Sequence, residues 1–249
     1  MFGGRSAWLF ALSCAAGLGL SRVAGAQVIP VPNGSFESPS TTFVTNTTDA
    51  WTLTGPQGTG DTGVFMNLPQ DMLIDVGGGI FVPAKRITNA DGNQLAFISA
   101  GHSASPNEIY QTLTGPLAVY APGNSYNLSV GVAVSSVQPP DSGSRLLLEL
   151  YYMNGQTRTA VATTDITNDV ATGLRNDQLT FFHVQVPTVS AGAPFANAPI
   201  GILITTSENP AATGGTFDVD NVTLVPEPAS IALLGMLATG GLLRRRRRA

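Results

Sequence analysis

Tyr126-Asn127-Leu128-Ser129-Val130-Gly131-Val132 alternates apolar side chains with small or polar ones, the period of a strand with one face on a core and the other turned away. Phe217-Asp218-Val219-Asp220-Asn221-Val222-Thr223-Leu224 does the same in part. Outward from these two, short runs of β-branched and aromatic residues recur between clusters of Gly, Pro, Asn, Thr and Ser, with almost no helical period. The pattern predicts an all-β sandwich. Strands are expected at 28–31, 34–37, 50–53, 63–66, 94–99, 108–113, 125–137, 144–153, 157–163, 179–186, 199–206 and 216–224. The stretches 67–90, with Gly77-Gly78-Gly79, and 164–177 read as long loops. No internal repeat is visible.

Of the 249 residues, Met1 to Ala26 reads as a secretory signal peptide: Arg5, an apolar run from Ala7 to Leu20, then Ala24-Gly25-Ala26. Signal peptidase is expected to cut between Ala26 and Gln27. The single cysteine, Cys14, leaves with this segment, and Ala11-Leu12-Ser13 before it is a poor lipid-anchor match. Disulfides, thiolate metal sites and cysteine nucleophiles are therefore excluded from the exported body. Between Gln27 and Val225 five basic residues face fifteen acidic ones, a net charge of −10. A body so acidic and without a basic stripe argues against nucleic acid and makes divalent cations the more plausible partners. Roughly 200 residues suit one domain with a sizeable core.

At the other end come Val225-Pro226-Glu227-Pro228, fifteen mostly apolar residues from Ala229 to Leu243, and Arg244 to Arg248. A helix of that length spans about 22 Å against a hydrocarbon core of about 30 Å, so it suits transient membrane insertion better than permanent anchoring. The arginines belong on the cytoplasmic side, which leaves the acidic body outside. The three-part order resembles the PEP-CTERM sorting signal of bacteria, also catalogued as an ice-binding protein C-terminal domain. That resemblance implies recognition of Pro226, Glu227 and Pro228 by exosortase, a membrane transpeptidase, and delivery to the cell surface or an extracellular polysaccharide matrix.

The body carries Val31-Pro32-Asn33-Gly34-Ser35-Phe36-Glu37-Ser38-Pro39, then Trp51, Asp91-Gly92-Asn93-Gln94-Leu95-Ala96-Phe97, Ile109-Tyr110-Gln111-Thr112-Leu113, Pro122 to Leu128 and the closing Asp220-Asn221-Val222-Thr223-Leu224. In this order the landmarks resemble carbohydrate-binding-module-like jelly rolls, including HpiC1-type cyclase domains. Ala50 departs from the glycine usual before the tryptophan. The resemblance implies an antiparallel jelly-roll β-sandwich of galactose-binding-like form at 27–225, between an N-terminal signal helix and a short C-terminal apolar helix. It also implies a structural Ca2+ held by Glu37 and Asp220, which otherwise are solvated strand ends. Calcium takes six to eight oxygen ligands, so two carboxylates with backbone carbonyls suit it.

Trp51, Tyr151 and Tyr152, with Tyr110 and Tyr126, are candidates for stacking on sugar rings or for the core. Tyr151 and Tyr152 must face opposite ways on one strand. Gly101-His102-Ser103-Ala104-Ser105 fails as a nucleophile elbow, because its last position is Ser and Pro106 follows in place of a helix. His102 and His183 lack metal spacing, and no catalytic residue is assigned. The expected role is a non-catalytic surface or matrix protein, possible ligand a glycan. The alternatives are a calcium-dependent enzyme of the cyclase-like type, which requires a buried, aromatic-lined site holding an unpaired Asp or Glu, and a purely structural matrix protein.

Overall fold

The computed structural model describes residues 27–55, 61–100, 106–206 and 214–228. The signal segment through Ala26, the 101–105 stretch with His102, and the tail from Ala229 lie outside the described residues. Within them the chain forms thirteen strands and no helix. In chain order the first seven are β1 (Val44–Thr45), β2 (Thr52–Thr54), β3 (Thr62–Met66), β4 (Leu73–Asp75), β5 (Phe81–Pro83), β6 (Gln94–Ser99) and β7 (Glu108–Thr112). The longer ones follow: β8 (Asn124–Val134), β9 (Arg145–Asn154), β10 (Thr157–Thr167), β11 (Thr180–Val186), β12 (Gly201–Thr206) and β13 (Thr216–Pro228).

They make an antiparallel jelly-roll sandwich. Sheet A runs β1-β3-β6-β13-β8-β11, sheet B runs β10-β9-β12-β7-β2, and β4 with β5 is a separate hairpin. The alternation read in β8 places Leu128, Val130 and Val132 inward, where Phe217, Val219, Ala96 and Ile98 of the same sheet join them. Leu146, Leu148, Leu150, Ile202, Ile204 and Ile109 meet them from sheet B. All thirteen of these side chains are buried, and truncating a leucine in such a core costs about 2–5 kcal/mol.

Four expectations are corrected. Residues 34–37 are not a strand: Asn33 and Phe36 have φ of 50° and 54°, and the chain coils instead of extending. Asn33 is the hub of that coil, its Nδ2 donating to Ser38 O at 2.7 Å and its Oδ1 accepting from Ser38 N at 3.0 Å. Gly34 is needed because a Cβ there would come within 2.5 Å of Val222 O on β13. The 28–31 strand shrinks to a bridge between Ile29 and Leu224. Finally, the 67–90 stretch contains the β4–β5 hairpin, with the three glycines at its tip, and β10 extends through Thr167 into the other expected loop.

Candidate functional site

β13 is central in sheet A, and its side chains alternate until residue 220. Phe217 and Val219 enter the core, so Asp218 and Asp220 must stand on the outer face. An outer face normally meets water, but this one is partly covered. Ile87, Leu95, Ala133 and Leu179 form a second apolar cluster there, with Phe65 and Ala90 packed against it. Ile87 and Ala90 come from the 67–90 stretch. Asn67 fastens that stretch down, its Nδ2 donating to Ile87 O at 2.9 Å and its Oδ1 accepting from Ile87 N at 3.0 Å.

Asp218 lies in register between Phe97 of β6 and Ala133 of β8. Phe97 meets Phe65 edge-on, ring centroids 6.2 Å apart. The carboxyl is 5% exposed, and among the described residues no hydrogen bond or ion pair reaches it. Burial alone pushes its pKa well above the usual carboxylate range, since a charge taken out of water without a partner is disfavoured. The result is a carboxylic acid on an apolar, aromatic wall. Sequence reasoning missed it; the available signal was two aspartates on one face of a strand whose other face is apolar.

One step along the strand, Asp220 and Glu37 do come together with the 91–94 turn. Asp220 Oδ2 accepts from Asp91 N at 2.7 Å. Glu37 Oε1 accepts from Asn93 N at 2.8 Å and Gln94 N at 2.6 Å. Gly92, at φ 99°, leaves the room for this, because a Cβ would stand 2.5 Å from Glu37 Cδ. Burial pushes Asp220 up to about 7, helped by the charges of Asp91 and Glu37 and opposed by hydrogen bonds from the Asp91 and Asn221 amides. Its Oδ1 is buried with no hydrogen-bond partner. Among the described residues no group of three or more His, Cys, Asp or Glu converges as a metal cluster. An orphaned buried carboxylate oxygen beside a second carboxylate is nevertheless a hard-oxygen donor set of the kind calcium accepts, so the residues fit that ion.

The three proposed stacking rings are buried. Trp51 packs on Phe36 at 5.2 Å and donates from Nε1 to Asn33 O at 2.9 Å. Tyr152 points inward to Phe195. Tyr151 points the other way, as expected, but is fully buried, packed against Gly201 with the Arg158 guanidinium 6.0 Å from its ring. Arg158 also lies 4.4 Å over the half-buried Tyr110 and is held by Glu108. His183 is exposed on β11.

The fold recurs in solved structures. A cyclase from Fischerella sp. TAU in complex with 4-(1H-indol-3-yl)butan-2-one is 21% identical, with a TM-score of 0.59 over 82% of this chain and 99% of that one. The Stig cyclase FisC of the same organism, in complex with (3Z)-3-(1-methyl-2-pyrrolidinylidene)-3H-indole, is 22% identical with a TM-score of 0.56, over 82% and 99% of the two chains. Among curated proteins nothing matches. The family model for the HpiC1 cyclase matches residues 27–225, most of the chain and all of the sandwich but the last three residues of β13, and on that match the chain belongs to the HpiC1-like cyclase family.

Proposed function

We propose that the protein is an acid-dependent cyclase or isomerase acting at Asp218, exported and stabilised by calcium. The observation that carries this is a carboxyl buried against Phe97 and Ala133 with no charged partner among the described residues. That is the arrangement the enzyme alternative required, and Trp51, Tyr151 and Tyr152, the rings considered for stacking on sugar, are buried.

In this reading the Asp218 carboxyl gives its proton to an electron-rich double bond of an apolar, aromatic-bearing substrate. A second double bond or ring carbon of the same substrate closes on the cation, and a neighbouring C–H returns a proton to the carboxylate. Substrate and product are isomers, so no oxidant or co-reactant is needed. Phe65 and Phe97 present ring electrons to the cation. The indole compounds bound by the Fischerella cyclases support an aromatic heterocycle as the substrate core. Calcium, when bound at Glu37 and Asp220, supplies charge neutralisation and ties the opening coil to β13.

The test is turnover of indoles carrying an alkenyl side chain, followed by chromatography for products of unchanged mass. Asp218→Asn should fold and bind 4-(1H-indol-3-yl)butan-2-one like the wild type while turning over at least about 100-fold more slowly, the usual range for a lost general acid. Equal turnover in the variant would remove Asp218 from the chemistry.

A further inference from the structure

The outer face of sheet A holds a second feature, well away from Asp218. Asn127 is six residues along β8 from Ala133, a distance of about 20 Å in an extended strand. Here a cavity of about 430 Å³ opens, lined by the polar residues Ser125, Asn127, Gln185, Thr188 and Glu227 together with Tyr126, Val186 and Pro187. That volume lies inside the range of small-molecule sites, about 300–1,000 Å³.

Register explains why its walls are polar. Asn127 stands directly opposite Gln185 of β11, and Ser125 directly opposite Glu227 of β13. The two polar pairs occupy successive rows of one sheet face. Ser125 Oγ donates to Glu227 O at 3.1 Å, which fixes the second row. Asn127 Oδ1 is buried and has no hydrogen-bond partner. An acceptor left so costs about 1–3 kcal/mol, which a half-turn of the carboxamide toward a ligand donor in the cavity would recover.

The lining also limits what can bind. It contains no Lys or Arg to attract a phosphate or carboxylate. Its one aromatic side chain, Tyr126, is buried and uses its hydroxyl on Val119 O at 2.7 Å, so no ring is free to stack on a base. A single carboxylate gives a divalent cation little charge. Two carboxamides, two hydroxyls and that carboxylate offer donors and acceptors side by side, which is what adjacent ligand hydroxyls pair with.

We infer that this pocket binds a neutral polyhydroxylated ligand, one or two sugar units of a glycan. The inference goes beyond the acid chemistry at Asp218 and does not depend on it. The experiment is calorimetric titration of the full-length protein with neutral hexasaccharides of glucose, xylose, mannose and galactose, with calcium and with chelator. At least one should bind with millimolar or tighter affinity. Asn127→Ala and Gln185→Ala should each weaken it about tenfold, the effect of one lost hydrogen bond, with Tm no lower than the wild type's, while Asp218→Asn binds as the wild type does. No binding across the panel, equal affinity in both pocket variants, or loss of binding in Asp218→Asn would each overturn the proposal. So would a calcium stoichiometry that falls in Asn127→Ala, which would make the pocket a cation site.

Discussion

Ala50 sits at φ 68°, in the left-handed region, immediately before buried Trp51. This is the residue at which the sequence departs from the glycine that the jelly-roll resemblance leads one to expect, and its backbone takes the glycine-type conformation. A Cβ there costs about 1–2 kcal/mol. Ala50→Gly removes that cost but loosens the unfolded chain by about 0.4–1 kcal/mol. The net expectation is a gain of about 0.5–1 kcal/mol, read as a Tm rise of about 2 °C in a domain of this size. A lower Tm would show that Ala50 contributes contacts outweighing its strain. At the same scale, Asn33 is a residue whose type was legible and whose job was not. Its side chain bridges Ser38, Thr48 and Asp49, three partners that no local pattern connects.

At the scale of elements, the strands with clean alternation or β-branched runs were legible because one face of each is core. β6 matches its expected bounds, and β8, β9 and β11 differ by a few residues at their ends. The 34–37 coil was misread because Phe36 is fully buried from a left-handed backbone, which looks like a strand residue in a string of letters. Asp218 was passed over for a related reason. Its register neighbour Ala133 is packed with Ile87, from a stretch some 130 positions before Asp218 in the chain, a cover that sequence alone does not show, so Asp218 reads as a residue on a wet face. Glu37 and Asp220 were paired through a family resemblance, and the fold does bring the coil and β13 together at the 91–94 turn. Calcium should therefore act as a staple between these elements. At 100 times its dissociation constant, linkage gives about 2.7 kcal/mol, or a Tm rise of about 5–10 °C over chelator. Glu37→Gln and Asp220→Asn should each lose most of that rise, and magnesium, with its stricter octahedral demand, should produce little of it. Equal shifts with both ions would reduce the effect to screening of the acidic surface.

At the scale of the whole molecule, the sandwich joins an acid-bearing face to a terminus expected to be processed. Sorting predicts that mature protein from the native host lacks Leu243 and the arginines by mass spectrometry, and that Glu227→Ala retains them. An intact arginine tail on most of the surface protein would leave the segment a plain membrane anchor. The Pro226–Pro228 motif is not a free tail here: it pairs with Tyr126 to Asn124 as the last rungs of β13. A processing enzyme must therefore detach it first. The ladder with β8 is already interrupted between Asp220 and Thr223, where Asn221 takes φ 55°. Upstream of that break β13 is zipped on both sides, to β6 and to β8; downstream it pairs with β8 and is also held by Gly34 O on the Val222 amide and by the Ile29 bridge at Leu224, so only residues 225–228 are paired on the β8 side alone. Detaching the motif would peel the strand back only to Leu224, where the Ile29 bridge and the core hold it, leaving Asp218 and Asp220 in place in the remaining sheet.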